Sequence, residues 1–541
     1  MKLKGLSNRL YNITFHTHTV SGIVISFALY VIFFAGAFTL FKGEFYQWEN
    51  PQARKNITAV VDYDEILKKL KEQTPRFDLS EDITISSETE ARPLVFIYGH
   101  LLVEKGQPEE HYYTSYLPAT GEFSKDEKTT IGETLYRLHF FDQIPIIGRY
   151  LSGFVALFFA FAVVTGVMIH WQNIFTKFHG FSLKGSLKNL WTNAHTVFGF
   201  IALPFQFMYA ITGAYYMLSL LVLLPVVIVF FGGDQEKAFK VIVPERMMEV
   251  NEKSQVTSNN LKITSILDGL KKEHSELELR YLQIKHYNRE DGVLSASVDN
   301  RKIFTGEGSV AISLRNGKIL LYHLPGNKGY AQSVLPGIAR LHFATFGGLA
   351  LKVIYLFMAL ITCFVIISGV LLWKEARNKK NYTDKQKRFH HRVTMSYLAI
   401  CFGLFPATAI LFSAELLVPD TIDHVFNVRG VFFVSWLLLT IAGLFVKTET
   451  NATKLYLFFG GLFSLAVPLV NGIITGDWIW VALEKGNYFV FGTDLFWVIT
   501  GVSSLFFTWI MASNSNKETL VGSSNLQEKG FTQRNISINA K

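Results

Sequence analysis

Long apolar runs punctuate this chain, separated by two stretches in which apolar and polar positions alternate at short period. The runs are Val20–Phe41, Tyr150–Trp171, Val197–Met217 (apolar onward to Phe231), Leu349–Trp373, Val393–Phe412, Val431–Val446, Leu455–Ile474 and Tyr488–Met511. A hydrocarbon core about 30 Å thick takes roughly 20 helical residues to cross, so the pattern predicts eight spans. The sixth is short and the seventh contains Asn471. The first lacks a small-residue cleavage site and belongs to a repeat, so it reads as a retained helix. Between the runs, Tyr63–Gln73 and Leu261–Leu270 have helical spacing. Strand-like segments are Pro93–Tyr98, Tyr112–Leu117, Glu122-Phe123, Leu277–Lys285, Val293–Val298, Ser309–Ser313 and, after the Asn316-Gly317 turn, Lys318–Tyr322. The two polar stretches therefore read as small α+β modules.

The pattern is duplicated. Arg137-Leu138-His139-Phe140 returns as Arg340-Leu341-His342-Phe343, and at the same offset of 203 residues Gly166-Val167 returns as Gly369-Val370. At an offset of 177, His18-Thr19-Val20 with Gly22, Gly36 and Ala37 falls over His195-Thr196-Val197 with Gly199, Gly213 and Ala214. The chain thus holds two copies of one unit: a helix opened by histidine, a polar insert, and a second helix opened by histidine. The offsets differ by 26 residues, so the second insert is expected to be longer and to carry an extra hairpin. Duplicated helices in one bundle bring equivalent residues to one depth around a pseudo-symmetry axis. Paired histidines at one depth are what a six-coordinate haem iron requires.

Composition and charge add topology. Half the residues are hydrophobic and 48 are Phe, as a multi-pass membrane protein requires. Lys2, Lys4 and Arg9 before the first span, Lys177, Lys184 and Lys188 in the 172–194 loop, and eight basic residues against Glu375 and Asp384 in the 374–392 loop assign those segments to the cytoplasm. The net charge of +9 is then a topology signal, and no nucleic-acid partner is expected. Residues 1–42 hold the cytoplasmic N-terminus and first span, 43–136 the first outer module, 137–231 the second and third spans, and 232–338 the second outer module. The fourth span occupies 339–376, a basic cytoplasmic loop 377–392, four additional spans 393–511 and a cytoplasmic tail 512–541. Cys363 and Cys401 both lie in predicted spans, so no disulfide framework supports the outer modules.

Candidate chemistry centres on histidine. His139 and His342 each follow an arginine by two residues and directly precede a phenylalanine. They read as one axial pair, with Arg137 and Arg340 set to pair with haem propionates; the competing reading is two helix-start residues hydrogen-bonded at an interface. His18 and His195 read as a second pair. Gly22 and Gly199 lie four residues on and Gly36 and Gly213 eighteen on, five turns of helix. Such a glycine stripe admits a flat porphyrin or lets two helices pack closely. His170, His391, His16 and His390 compete for the same inner layer, although the repeat equivalent of His170 is Trp373 and no glycine follows His391 at the fourth residue. His100, His111, His274, His286 and His323 in the inserts, and His179 in an inner loop, read as solvated surface.

A first helix with histidine near its cytoplasmic end, a strand-turn ending at Leu117-Pro118-Ala119-Thr120-Gly121-Glu122, the Arg-Leu-His-Phe motif, and the exit Ser368-Gly369-Val370-Leu371-Leu372-Trp373 resemble the PepSY-associated transmembrane-helix family over residues 10–376. That resemblance implies PepSY-like periplasmic modules, a four-helix bundle holding two b-type haems, and reduction of ferric siderophores at the inner membrane. It does not extend to the four C-terminal spans. No Cys-x-x-Cys-His run is present, so any haem is non-covalent; no G-x-G-x-x-G or Walker A sequence is present, so electrons come from a cytoplasmic flavoprotein or a membrane quinol. The expectation is a mainly α, multi-pass protein of about eight spans with two small α+β periplasmic modules, passing electrons through two haem b groups to a ferric siderophore and releasing Fe(II). Tyr112, Tyr113, Tyr116, Tyr322 and Tyr330 are candidates to dock that complex. A membrane transporter of the siderophore or iron complex, and a non-enzymatic PepSY sensor or peptidase-regulating protein, are the rival classes.

Overall fold

The computed structural model describes residues 6–54, 61–104, 106–124, 129–171, 186–251 and 253–538; Lys2, Lys4, Lys177, Lys184 and His179 lie outside them. Two compact units emerge, Met1–Gly369 and Val370–Lys541. In chain order the helices are α1 Asn8–Thr39, α2 Tyr46–Glu49, α3 Tyr63–Gln73, α4 Thr130–His139, α5 Ile147–His170, α6 Leu187–Ile201, α7 Leu203–Phe231, α8 Gln235–Ile242, α9 Ile263–Glu273, α10 Tyr330–Phe343 and α11 Gly348–Ala376. Then follow α12 Asp384–Leu417, α13 His424–Leu444, α14 Glu449–Thr475, α15 Ile479–Glu484 and α16 Tyr488–Ile538.

Seven helices among the described residues, α1, α5, α11, α12, α13, α14 and α16, are long and apolar enough to cross a bilayer. The expected third span is an eighth only as a bent pair, α6 and the first part of α7 meeting at 69°. The break has a local cause. Pro204 stands in the first turn of α7, where it has no N–H to carry the α6 hydrogen-bond ladder onward. Side chains set several other starts: Ser7 accepts from the Leu10 N–H, Ser186 from Asn189, and Thr383 forms a reciprocal capping box with Gln386 at the head of α12.

The polar inserts differ from expectation in how they associate. They form one eight-stranded antiparallel sheet, not two separate modules. Its strands are β1 Ile83–Ser86, β2 Val95–Leu101, β3 Glu110–Leu117, β4 Glu122–Ser124, β5 Glu278–Lys285, β6 Val293–Asp299, β7 Glu307–Ser313 and β8 Ile319–His323, in the order β4-β3-β2-β1-β5-β6-β7-β8. The halves join at β1 and β5, with Ile83 opposite Ile284 and Ile85 opposite Leu282. Those four side chains share one core with Ile66, Leu67 and Leu70 of α3 and Ile263 of α9. Asp64 of the first half accepts from the Ile263 and Thr264 N–H groups at 3.0 Å each, so a carboxylate from one repeat satisfies the open amides of a helix in the other.

Each half has four strands, so the extra hairpin expected in the second insert is absent from the described residues. The added length lies mostly in α7, which runs on to Phe231, and in α8 behind it. A second correction concerns His139 and His342. They do not open the spans: each stands in the last turn of a short helix, α4 or α10, and the chain then breaks before the spanning helix begins. Pro145 lies in the first break and Gly347 in the second, which ends at Gly348, the first residue of α11, at φ +61°.

Candidate functional site

Helix α1 supplies the frame. His18 lies about three turns in from its start and Gly36 one turn from its end, eighteen residues and about 27 Å of helix apart. At the first position the rings of His18 and His195 face one another with centroids 6.2 Å apart and planes at 69°. At the second, the His139 ring packs against Gly36 and faces His342 at 6.0 Å with planes at 43°. The four leading candidates therefore meet as two pairs, in the combinations expected.

The hydrogen bonds fix which ring nitrogen is free. His18 Nδ1 donates to the Ala162 carbonyl at 3.0 Å, His195 Nδ1 to Val365 O at 2.9 Å and His139 Nδ1 to Ile32 O at 2.7 Å. A carbonyl only accepts, so each Nδ1 carries the proton. His342 Nδ1 lies 2.8 Å from Thr212 Oγ1, whose own hydroxyl donates to Met208 O, so the fourth ring takes the same tautomer. In the neutral form of each ring, Nε2 is then the nitrogen with the free lone pair. A backbone acceptor on the distal nitrogen is how metal-bound imidazoles are ordinarily oriented.

The pseudo-symmetry extends to these acceptors. Ala162 and Val365 stand 203 residues apart, as do Thr165 and Ser368, whose hydroxyls lie 3.3 and 3.4 Å from the Nδ1 atoms of His18 and His195. Gly166 and Gly369 stand one residue further on. A Cβ at either would approach the Cε1 of His18 or of His195 to 3.1 Å, and one at Gly36 would approach His139 to 2.7 Å. These glycines make room for imidazole rings, whereas a Cβ at Gly22 would meet nothing within 4 Å and one at Gly213 would meet only Ala156. Around His342 an aromatic wall closes, with Tyr216 at 5.2 Å, Phe343 at 5.1 Å and Tyr209 at 6.5 Å between centroids.

The remaining candidates are placed elsewhere. Arg137 pairs with Glu133 and Asp142 and is half exposed. Arg340 is almost fully buried and pairs with Asp299 of β6, while its Nη1 is buried with no hydrogen-bond partner. His170 Nε2 is 3.5 Å from Thr196 Oγ1, and His16 is exposed beside Phe15. His390 and His391 belong to the C-terminal unit, where His390 packs on Trp373 and His391 Nδ1 lies 3.3 Å from Glu449. Of the tyrosines, Tyr113 and Tyr330 are exposed, whereas Tyr116 packs in the sheet core. His424, which sequence reasoning passed over, is buried with Nε2 2.9 Å from Glu415 Oε1. It stands in a short polar turn between two apolar runs, outside the duplicated segments, so no repeat marks it.

The residues present fit a haem at each pair. Two imidazoles that shared one iron would have ring centres about 6 Å apart, and the centroids of the two pairs stand 6.2 and 6.0 Å apart. No three His, Cys, Asp or Glu side chains gather as a metal cluster among the described residues, but a porphyrin supplies four of six ligands and needs only two from protein.

What fold and site define is a multi-pass membrane protein built on a duplicated helical plan, each copy carrying half of a joined extramembrane sheet. The chain belongs to the PepSY-associated TM region family, whose model matches residues 15–376. It is also similar to the uncharacterized protein PA4219 of Pseudomonas aeruginosa, 22% identical over 397 residues that cover 70% of this chain and 95% of that one.

Proposed function

We propose that this chain is an inner-membrane electron carrier with two non-covalent b haems that reduces ferric siderophores on the sheet side, leaving its N-terminus in the cytoplasm. One observation carries the reading: two histidine pairs at separate levels along α1, each with ring centroids about 6 Å apart and with all four Nδ1 atoms within hydrogen-bond distance of an oxygen. Haem bound at His18 and His195 and at His139 and His342 would supply a one-electron carrier at each of the two levels. The protein's own part is to hold the imidazoles neutral, fix their planes through backbone acceptors, and surround them with apolar helix. Hard oxygen ligands bind Fe(III) more strongly than the less charged Fe(II), so adding one electron to the substrate iron is itself the release step. A cytoplasmic flavoprotein or a membrane quinol is the electron donor in this reading.

The transporter reading fits less well. A transporter places its polar residues near mid-membrane on broken helices. Here the buried ionisable groups Glu415, His424 and Asp494 stand within about two turns of a helix end, while the polar contact at the break between α6 and α7, Gln206 to Thr362, is uncharged. Haem content tests the proposal directly. Protein purified from haem-replete cells is expected to give a reduced-minus-oxidised spectrum of low-spin b haem at about two per chain, and a colourless preparation would end the electron-transfer reading.

A further inference from the structure

At one end of the C-terminal unit, where α11 finishes and α12 begins, Lys374, Arg377, Asn378, Lys387, Arg388, His390 and His391 line a cavity of about 280 Å³. No carboxylate is among them. Glu449, next to the cavity, engages Lys374 at 2.5 Å and His391 at 3.3 Å, which leaves Arg377, Lys387 and Arg388 without an acidic partner among the described residues. The site is built and not merely a charged loop. The Arg377 guanidinium stacks 4.6 Å over the Trp373 ring and donates to the Trp373 carbonyl at 3.2 Å, while Trp373 and Tyr382 pack on His390 at 5.1 and 5.6 Å. His390 Nδ1 is buried there with no hydrogen-bond partner. The head of α12 adds a positive helix end beside it.

We infer that this cavity is a phosphate-recognition site, in which Arg377, Lys387, Arg388 and the His390 imidazole engage the oxygens of a phosphate ester. Unpaired guanidinium groups match phosphate oxygens in geometry as well as charge. The volume falls just below the range of about 300–1,000 Å³ found for sites that engulf a drug-sized ligand, so the cavity takes a headgroup and not a whole cofactor. Two sources carry that chemistry: an anionic phospholipid, for which basic pockets between membrane helices are a recurrent site, and a soluble phosphate ester.

The test uses the full-length protein in two arms. In the first, protein is reconstituted into nanodiscs of phosphatidylcholine with or without phosphatidylglycerol, and retained phosphatidylglycerol is counted by native mass spectrometry. In the second, protein in pure phosphatidylcholine nanodiscs is titrated calorimetrically with glycerol 3-phosphate and with pyrophosphate. Binding is expected in at least one arm, and the arm that binds names the source. In that arm Arg377→Gln/Arg388→Gln is expected to lose at least tenfold in affinity and the milder Lys387→Gln a few-fold, with Lys318→Gln on the sheet unchanged. No binding in either arm, or equal binding by parent and by both pocket variants, overturns the proposal. Neither readout depends on haem, so its failure is separate from failure of the electron-transfer reading.

Discussion

At the scale of single residues, the oxygen atoms behind each imidazole make a sharper claim than the histidines themselves. Thr212→Val keeps the side-chain shape but removes the acceptor 2.8 Å from His342 Nδ1. Loss of such a partner typically costs 10–100-fold in metal affinity or activity. The variant is therefore expected to lose about that much haem affinity at the His139–His342 pair, read as one of two haems dissociating on dilution while the other stays. Equal retention of both would mean that Thr212 does not orient His342. The glycines offer an internal control. Gly166→Ala puts a Cβ 3.1 Å from His18 Cε1, whereas Gly22→Ala meets nothing within 4 Å. The first should perturb the spectrum of the His18–His195 haem, while the second should leave it unchanged and stabilise α1 by roughly 0.5–1 kcal/mol, the ordinary helical gain of Ala over Gly. Matching spectra in the two variants would sever Gly166 from the site. The histidines and glycines were legible because they repeat at offsets of 177 and 203 residues. Thr165 and Ser368 share the second offset and were open to the same reasoning. Thr212 was not, since its repeat equivalent, Ala35, carries no polar group.

At the scale of elements, seven of the eight strands lie where alternation predicts them, and the one that sequence reasoning missed is β1, which joins the halves. Its four residues, Ile83–Ser86, are too few for a period-two pattern to stand out, and its apolar face has meaning only opposite Ile284 and Leu282 of a segment about 200 residues away. The break between α6 and α7 was missed for a related reason: the run stays apolar through Pro204, and hydropathy does not register a lost donor. The cross-repeat cap offers a test of the joined sheet. Asp64→Ala strips the acceptor from the Ile263 and Thr264 amides, a change that typically costs about 0.5–2 kcal/mol at a helix start. Hydrogen exchange should quicken at those two amides and in the first turn of α9, with little change in the membrane helices. Unaltered protection would show that α9 is held without its partner repeat.

At the scale of the whole molecule, the two histidine pairs need not share a face of the membrane, because α1 separates their levels by about 27 Å, close to a hydrocarbon core of about 30 Å. A solute on one side can then exchange electrons with only the nearer site, and the proposed activity has a direction. Protein reconstituted in sealed vesicles, reduced with dithionite and freed of excess reductant, should be reoxidised by a membrane-impermeant ferric siderophore only when that complex is on the sheet side, with Fe(II) trapped there by a colorimetric chelator. His139→Ala and His342→Ala should each abolish that reoxidation while keeping the haem at His18 and His195 reducible from the opposite side. The converse variants, His18→Ala and His195→Ala, should keep a haem that the ferric complex oxidises but that a donor on the far side no longer reduces. Reoxidation from both sides would contradict the separation that α1 imposes. Haem that ignores every ferric complex yet reoxidises with a quinone would instead make the chain a quinone-linked cytochrome b. The place to look for that quinone would be the C-terminal unit, where Glu415 and His424 form a buried pair and Asn471 Nδ2 donates to Asp494 at 2.8 Å.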